Sequence, residues 1–334
     1  MTTAAPLPPI DVSAARESKG TRDYSVFGGV LRSDVEFPEL TIASTGGTPD
    51  WSFVVAHDPP PAADGAILGS RQIGAERYEL SQLSGGLRLT YSHAGAFDIL
   101  RGGSRIVWYH QADALPELVR SIAIGPAISL ALELAGFLCL HGSAVAIGDS
   151  GVAFVGPKHF GKSTLATALT AAGARLIGDD LLVVSGGPPA TVRPGVASVR
   201  LWSDMTELLP LGTICETLIP GVKTTATGFA KDARAAGPAP LRAIYVLSPV
   251  RPDAGVPTVR RDRLAPSDAT VALAHQTKLP PSLVGLRGAG SQLVAAAVVA
   301  ATVPVWRLHP VRDVARLESL VRQIIEWTGE EREA

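Results

Sequence analysis

The hydrophobic pattern of the chain changes character near residue 115. Before that point, short apolar runs at 41–43, 52–55, 87–91 and 105–109 are separated by glycine, proline and aspartate clusters such as 45–50. This pattern predicts strands joined by turns. Leu83-Ser84-Gly85-Gly86 reads as a hairpin turn. From 115 to 140 the pattern becomes helical, and its most apolar window is 121–140. That window is long enough to span a bilayer, but it carries Pro126 and Glu133, so a buried core helix is predicted. Next come two apolar runs, 141–147 and 152–155, joined by Gly148-Asp149-Ser150-Gly151. They predict an antiparallel hairpin.

Beyond the hairpin, an alanine- and leucine-rich stretch, 164–172, reads as a helix ending at Gly173. A short strand at 174–178 leads to Asp179-Asp180, and 181–184 continues extended. The glycine- and proline-rich 185–194 reads as loop. A strand is expected at 241–247, with helices at 267–275 and 290–301. The run 303–308 reads as a strand, and its Pro304 argues for a sheet edge. A closing amphipathic helix, 313–327, places Val314, Leu317, Leu320, Val321, Ile324 and Ile325 on one face.

Composition narrows the class. A chain of 334 residues suggests about two domains. We divide it into a disordered lead-in (1–22), a smaller β-rich module (23–114) and an α/β domain (115–330). Hydrophobic content of 46% supports real cores. A net charge of −1 leaves no basic surplus for nucleic acid. Cys139 and Cys215 lie among apolar residues without metal-ligand spacing, as expected of buried thiols in a reducing compartment. Residues 1–10 lack the basic and apolar regions of a signal peptide. A cytoplasmic protein with neither nucleic-acid nor membrane partner is expected, and a homo-oligomer is left open.

The chemistry concentrates after the hairpin. Gly156-Pro157-Lys158-His159-Phe160-Gly161-Lys162-Ser163 spells G-x-x-x-x-G-K-S between a strand and a helix, and Thr164 follows. Strand, glycine-bounded loop and helix form the context of a phosphate-binding P-loop (Walker A). The glycines let successive N–H groups point inward, and the helix N-terminus adds roughly half a positive charge. In that reading Lys162 reaches the β- and γ-phosphates of ATP and Ser163 sits on Mg²⁺. The hairpin returns His141 toward the loop, and a βαβ crossover brings Asp179 and Asp180 to the mouth of the sheet. One carboxylate would hold the metal and the other would accept a proton from an attacking hydroxyl. Neighbours on an extended strand face opposite ways, so the two aspartates should differ in role.

His141-Gly142, the glycine-bounded loop and Leu176-Ile177-Gly178-Asp179-Asp180 together resemble the catalytic domain of bacterial HPr kinase/phosphorylase. The resemblance implies a phosphoenolpyruvate-carboxykinase-like α/β fold and ATP-dependent phosphorylation of a serine on a protein or peptide. It implies Asp180 as proton acceptor, His141 and Lys162 as further catalytic groups, Ser163 as magnesium ligand and Asp179 as their partner. The longer chain is similar to HPr-kinase-related proteins of peptide-modification gene sets, whose substrate would be a small precursor peptide. Pro38-Glu39-Leu40 and the 241–247 strand belong to that likeness. Two departures stand out. Thr164 replaces the glutamate that follows the P-loop serine in the family, and Arg200-Leu201-Trp202-Ser203-Asp204 occupies the region of its later glutamate- and glycine-rich segment. They keep two rivals in view: a non-catalytic ATP-binding regulatory or scaffold protein, and a small-molecule kinase or NTPase.

Overall fold

The computed structural model describes residues 20–44, 48–73, 76–100, 102–209, 214–216, 224–251, 259–278 and 289–333. Most of the expected lead-in lies outside the described residues. The first nine strands are β1 (Arg22–Val26), β2 (Gly29–Ser33), β3 (Thr41–Ile42), β4 (Trp51–Ala56), β5 (Ile67–Ile73), β6 (Glu76–Leu83), β7 (Gly86–Tyr91), β8 (Gly95–Leu100) and β9 (Arg105–Tyr109). They form one sheet in the order β3-β1-β2-β4-β9-β8-β7-β6-β5. Pairing from β9 through β5 is antiparallel, and the turn between Leu83 and Gly86 falls where the sequence places it. Arg88 and Asp98 face each other across β7 and β8 as a buried, two-pronged ion pair at 2.5 and 2.7 Å.

The helical stretch packs on this sheet as three pieces. These are α1 (Pro116–Ile122), a π-helical turn (Ala123–Ala127) and α2 (Ile128–Leu134). The π-turn contains Pro126, which has no N–H for the regular ladder. The expected helix to residue 140 is corrected here. Gly136 turns left-handed, and Leu138–Leu140 becomes the strand β10. The helices share a core with Phe37, Phe53, Phe97 and Trp108 of the sheet region.

The second sheet carries the site. Its strands are β10, β11 (Gly142–Ile147), β12 (Ser150–Val155), β13 (Arg175–Asp179), β14 (Leu182–Ser185), β15 (Thr191–Arg193) and β19 (Ala239–Leu247). Their order is β10-β14-β15-β19-β12-β11-β13. A small separate sheet holds β16 (Val199–Leu201), β17 (Ile214–Glu216) and β18 (Thr224–Thr227). β20 (Val259–Arg263) and β21 (Val305–Pro310) extend the second sheet beyond β19. Helices α3 (Lys162–Ala171) and α6 (Leu317–Glu333) cover one face, α4 (Pro266–Ala274) and α5 (Ala289–Thr302) the other.

The alternation along the central strands explains this layering. Val145, Val152, Phe154 and Tyr245 pack with Leu165, Leu169 and Ile324, while Ala144, Ala153, Val155 and Ile244 pack with Leu273 and Val299. Strands buried on both faces read as continuous apolar runs. The result is a mixed α/β architecture built on large sheets.

Three further expectations change. The loop 185–194 contains β15, which bridges β14 and β19. β21 lies between β19 and β20, so it is not an edge, and Pro304 precedes its first paired residue. The closing helix starts as a 3₁₀ turn (Val314–Arg316) capped by Asp313, whose carboxylate accepts from the Ala315 N–H. Val314 is 60% exposed instead of buried with Leu320, Val321 and Ile324. Among the described residues, no helix is long and apolar enough to cross a membrane.

Candidate functional site

The hairpin forms as expected, with Gly142 opposite Val155 and Ile147 opposite Ser150. β11 also pairs with β13, Ser143 lying across from Asp179. The crossover from β12 through α3 to β13 therefore skips one strand, and β11 fills the gap. This arrangement places the junction of β10 and β11, where His141 stands, between the 156–163 loop and the paired aspartates. A cavity of about 660 Å³ opens there. Lys158, His159, Phe160, Gly161, Lys162, Ser163, Thr164, His141, Asp179 and Asp180 all contribute to its walls.

The loop bends through left-handed backbone at Gly156 (φ 143°), His159 (φ 69°) and Gly161 (φ 88°). Gly161 caps α3, and a side chain there would be strained by the backbone angle alone. Lys162 is buried and donates to the Gly156 and Pro157 carbonyls at 2.8 and 2.9 Å. Its ammonium is thus held against the loop's own backbone. The His159 ring stacks on Trp202 at 5.8 Å. Arg312 donates to the His159 carbonyl.

Asp179 accepts three hydrogen bonds. Its Oδ1 accepts from Ser143 at 2.5 Å and from Ser163 at 2.9 Å, and its Oδ2 from the Arg200 N–H at 2.9 Å. Asp180 occupies a different environment. Its φ is 69°, and the Leu181 N–H donates to the Asp179 carbonyl across it at 2.9 Å. A three-residue turn of this hand is rare and costs about 1–3 kcal/mol. The strand therefore stops at Asp179, and 181–184 is no continuation of it. The aspartates do diverge, through this turn and not through strand alternation.

The Asp180 carboxylate meets His141 Nδ1 at 3.1 Å, Lys278 Nζ at 2.6 Å and Arg200 Nη1 at 4.0 Å. Burial pushes its pKa up. The His141 hydrogen bond and the Lys278 ammonium outweigh burial and hold it far below the usual carboxylate range. Asp180 is therefore firmly anionic at neutral pH.

The oxygen donors suit a hard cation. Ser163 and Asp179 share a contact at the loop–helix junction, and Mg²⁺ characteristically takes one or two protein oxygens and completes its shell with water and phosphate. Among the described residues, no group of three or more His, Cys, Asp or Glu could hold a metal alone. The Ser163 and Asp179 oxygens fit a cation of this kind.

No family model and no curated protein matches the chain. Among solved structures it is similar to the Hpr(Ser) kinase/phosphatase from Coxiella burnetii. Identity is 18%, the match covers 58% of this chain and 90% of that one, and the TM-score is 0.32. A match at this level carries nothing further, and the chemistry of the site rests on its own geometry.

Several site residues escape a reading by motif. Ser143, one residue past Gly142, is among them, and the hairpin register is the signal that could have found it. Lys278 has no such signal. It reaches Asp180 because the Lys278 N–H donates to the Cys139 carbonyl and the His141 N–H to the Gln276 carbonyl, laying 276–278 along the edge of β10. Arg200 and Trp202 fall in the segment that departs from the resembled family, and both line the cavity.

Proposed function

We propose that the chain is an ATP-dependent kinase that phosphorylates a serine hydroxyl on a small protein or precursor peptide. The observation that carries this reading is the contact of Ser163 with Asp179 at 2.9 Å, beside an Asp180 held anionic. In this reading the 156–163 loop is a P-loop. Its N–H groups and the α3 N-terminus receive the phosphates, and Lys162 leaves the Gly156 and Pro157 carbonyls for the terminal phosphates. Ser163 and Asp179 would hold Mg²⁺, which would neutralise charge on the phosphate oxygens. Asp180 accepts the hydroxyl proton. A strongly acidic carboxyl is a weak base, but phosphoryl transfer through a loose transition state asks little of its base. His141 and Lys278 orient that carboxylate.

The division into a lead-in (1–22), a β-rich module (23–114) and a kinase domain (115–330) belongs to the same proposal, as does a cytoplasmic location. A second reading, an ATP-binding scaffold, is favoured by one observation: Asp180 is already paired with both Lys278 and His141. Single-turnover transfer from γ-labelled ATP to serine peptides, across a Mg²⁺ series, separates the two. For a kinase, Asp180→Asn should still bind ATP while transfer falls about tenfold or more, as for loss of a hydrogen bond to a charged group. A wild type that binds ATP and transfers to no peptide points to the scaffold.

A further inference from the structure

The cavity continues past the glycine-bounded loop, away from the aspartates. At the mouth of the second sheet, β11 and β13 lie on one side of β12, and β19 and β21 on the other. β12, β19 and β21 run parallel. Open α/β sheets take their ligands at the carboxyl ends of such strands. Two strand spacings, about 10 Å, separate β12 from β21. Asp179 and Asp180 thus form one end of the cavity, the loop its middle, and the ends of β19 and β21 its other end.

That far end is apolar. Leu247 and Pro249 stand at the end of β19, Pro310 and Val311 at the end of β21, and Val314 and Leu317 at the start of the closing helix. Val314 fits the repeating apolar pattern of that helix, yet it is 60% exposed and lines the cavity. The wall is pinned by its own backbone. The Ser248, Val250, Arg312 and Asp313 N–H groups donate to the Leu308, Pro310, Val250 and Val311 carbonyls. Pro249 and Pro310 have no N–H to offer. The Asp313 carboxylate is engaged by the Ala315 N–H and by Arg316. Arg312 Nη2 donates to the His159 carbonyl at 3.3 Å and so ties the loop to this wall.

We propose that the apolar end holds the nucleobase of the phosphate donor, by its ring faces and not by its hydrogen-bonding edge. The inference rests on the phosphate-loop reading above. A triphosphate seated on the loop, with its terminal phosphate toward Asp179 and Asp180, directs its other end toward Pro249 and Val311. A flat ring laid against apolar side chains removes apolar surface of both from water. The N–H groups that could read the ring's edge are engaged within the wall. Adenine and guanine present opposite donors and acceptors at that edge, and the site takes both alike.

The test is titration calorimetry on the full chain with Mg²⁺ and three probes: ATP, GTP and ribose 5-triphosphate, which keeps the sugar and phosphates and lacks the base. Wild type should bind ATP about 10–100-fold more tightly than ribose 5-triphosphate, the range for burying one ring against apolar side chains. ATP and GTP should differ by less than about tenfold, because a site that reads the edge discriminates far more strongly. Combining Val314→Ser with Leu317→Ala should lower the ratio of ATP affinity to ribose 5-triphosphate affinity about tenfold. Val314→Ser alone, at an exposed position, should lower the ratio in the same direction, which keeps the test open if the double variant fails to fold. Equal wild-type affinity for ATP and ribose 5-triphosphate overturns the assignment. So does an unchanged ratio in the variants, or a larger gap between ATP and GTP. Binding of none of the three probes instead sinks the phosphate-loop reading, and this assignment with it.

Discussion

The Lys278 ammonium lies 2.6 Å from Oδ2 of Asp180, a residue 98 positions earlier in the chain. It also donates to the Asp180 carbonyl. One side chain therefore braces both the carboxylate and the strained turn that presents it.

Replacing that brace should be visible in acid. Asp180 is depressed in the folded state, so its contribution to stability is present above the unfolded carboxylate pKa, near 3.9. It is lost only as pH falls through the lower folded value. Lys278→Met removes an ammonium that depresses the group, so its carboxyl should titrate higher. Acid unfolding followed by circular dichroism should then begin at a higher pH than in wild type. Coincident acid transitions would show that the ammonium does not set the carboxyl's affinity for protons.

Mg·ATP should raise the melting temperature of wild type through linkage. At a ligand concentration near 100 times Kd the stabilisation is about 2.7 kcal/mol. Lys162→Ala removes the ammonium now held by Gly156 and Pro157. It should lose most of that rise while keeping its melting temperature without nucleotide close to wild type. Scanning calorimetry with and without Mg·ATP decides this, and an intact rise in the variant would remove Lys162 from nucleotide binding.

His141 touches Asp180 twice, at a carboxylate oxygen and at the carbonyl. His141→Ala should lower single-turnover transfer about tenfold or more, as for loss of a hydrogen bond to a charged group. ATP affinity, measured by titration calorimetry, should hardly change. Equal transfer rates would leave the imidazole a purely structural partner of the turn.

The Arg88–Asp98 pair tests the N-terminal sheet independently of the site. Both residues are buried, and removing one partner strands the other charge. Asp98→Ala should cost about 3–5 kcal/mol, measured as the shift in urea unfolding. Adding Arg88→Met should recover part of the loss. A single variant as stable as wild type would mean that the arginine finds other partners.

What the sequence showed and what it hid divide along contact range. The hairpin, the glycine-bounded loop and the strand leading to Asp179 were legible because each is written in neighbouring residues. So were the strands at 87–91 and 105–109, whose boundaries follow local turns. The end of the helix before Leu138 was hidden because Gly136 stands in an otherwise apolar run that suits helix and strand alike. β21 looked like an edge because Pro304 was counted inside it. The left-handed Asp180 and the approach of Lys278 depend on pairing between distant segments, which no local pattern records.

Asp179 accepts from Ser143 in β11, from Ser163 at the start of α3 and from the backbone at Arg200 in β16. With both oxygens shared, this carboxylate cannot swing toward one partner without lengthening its bonds to the others. It acts as a rivet through three layers of chain. The start of α3 and the small sheet are thereby tied to one and the same carboxylate.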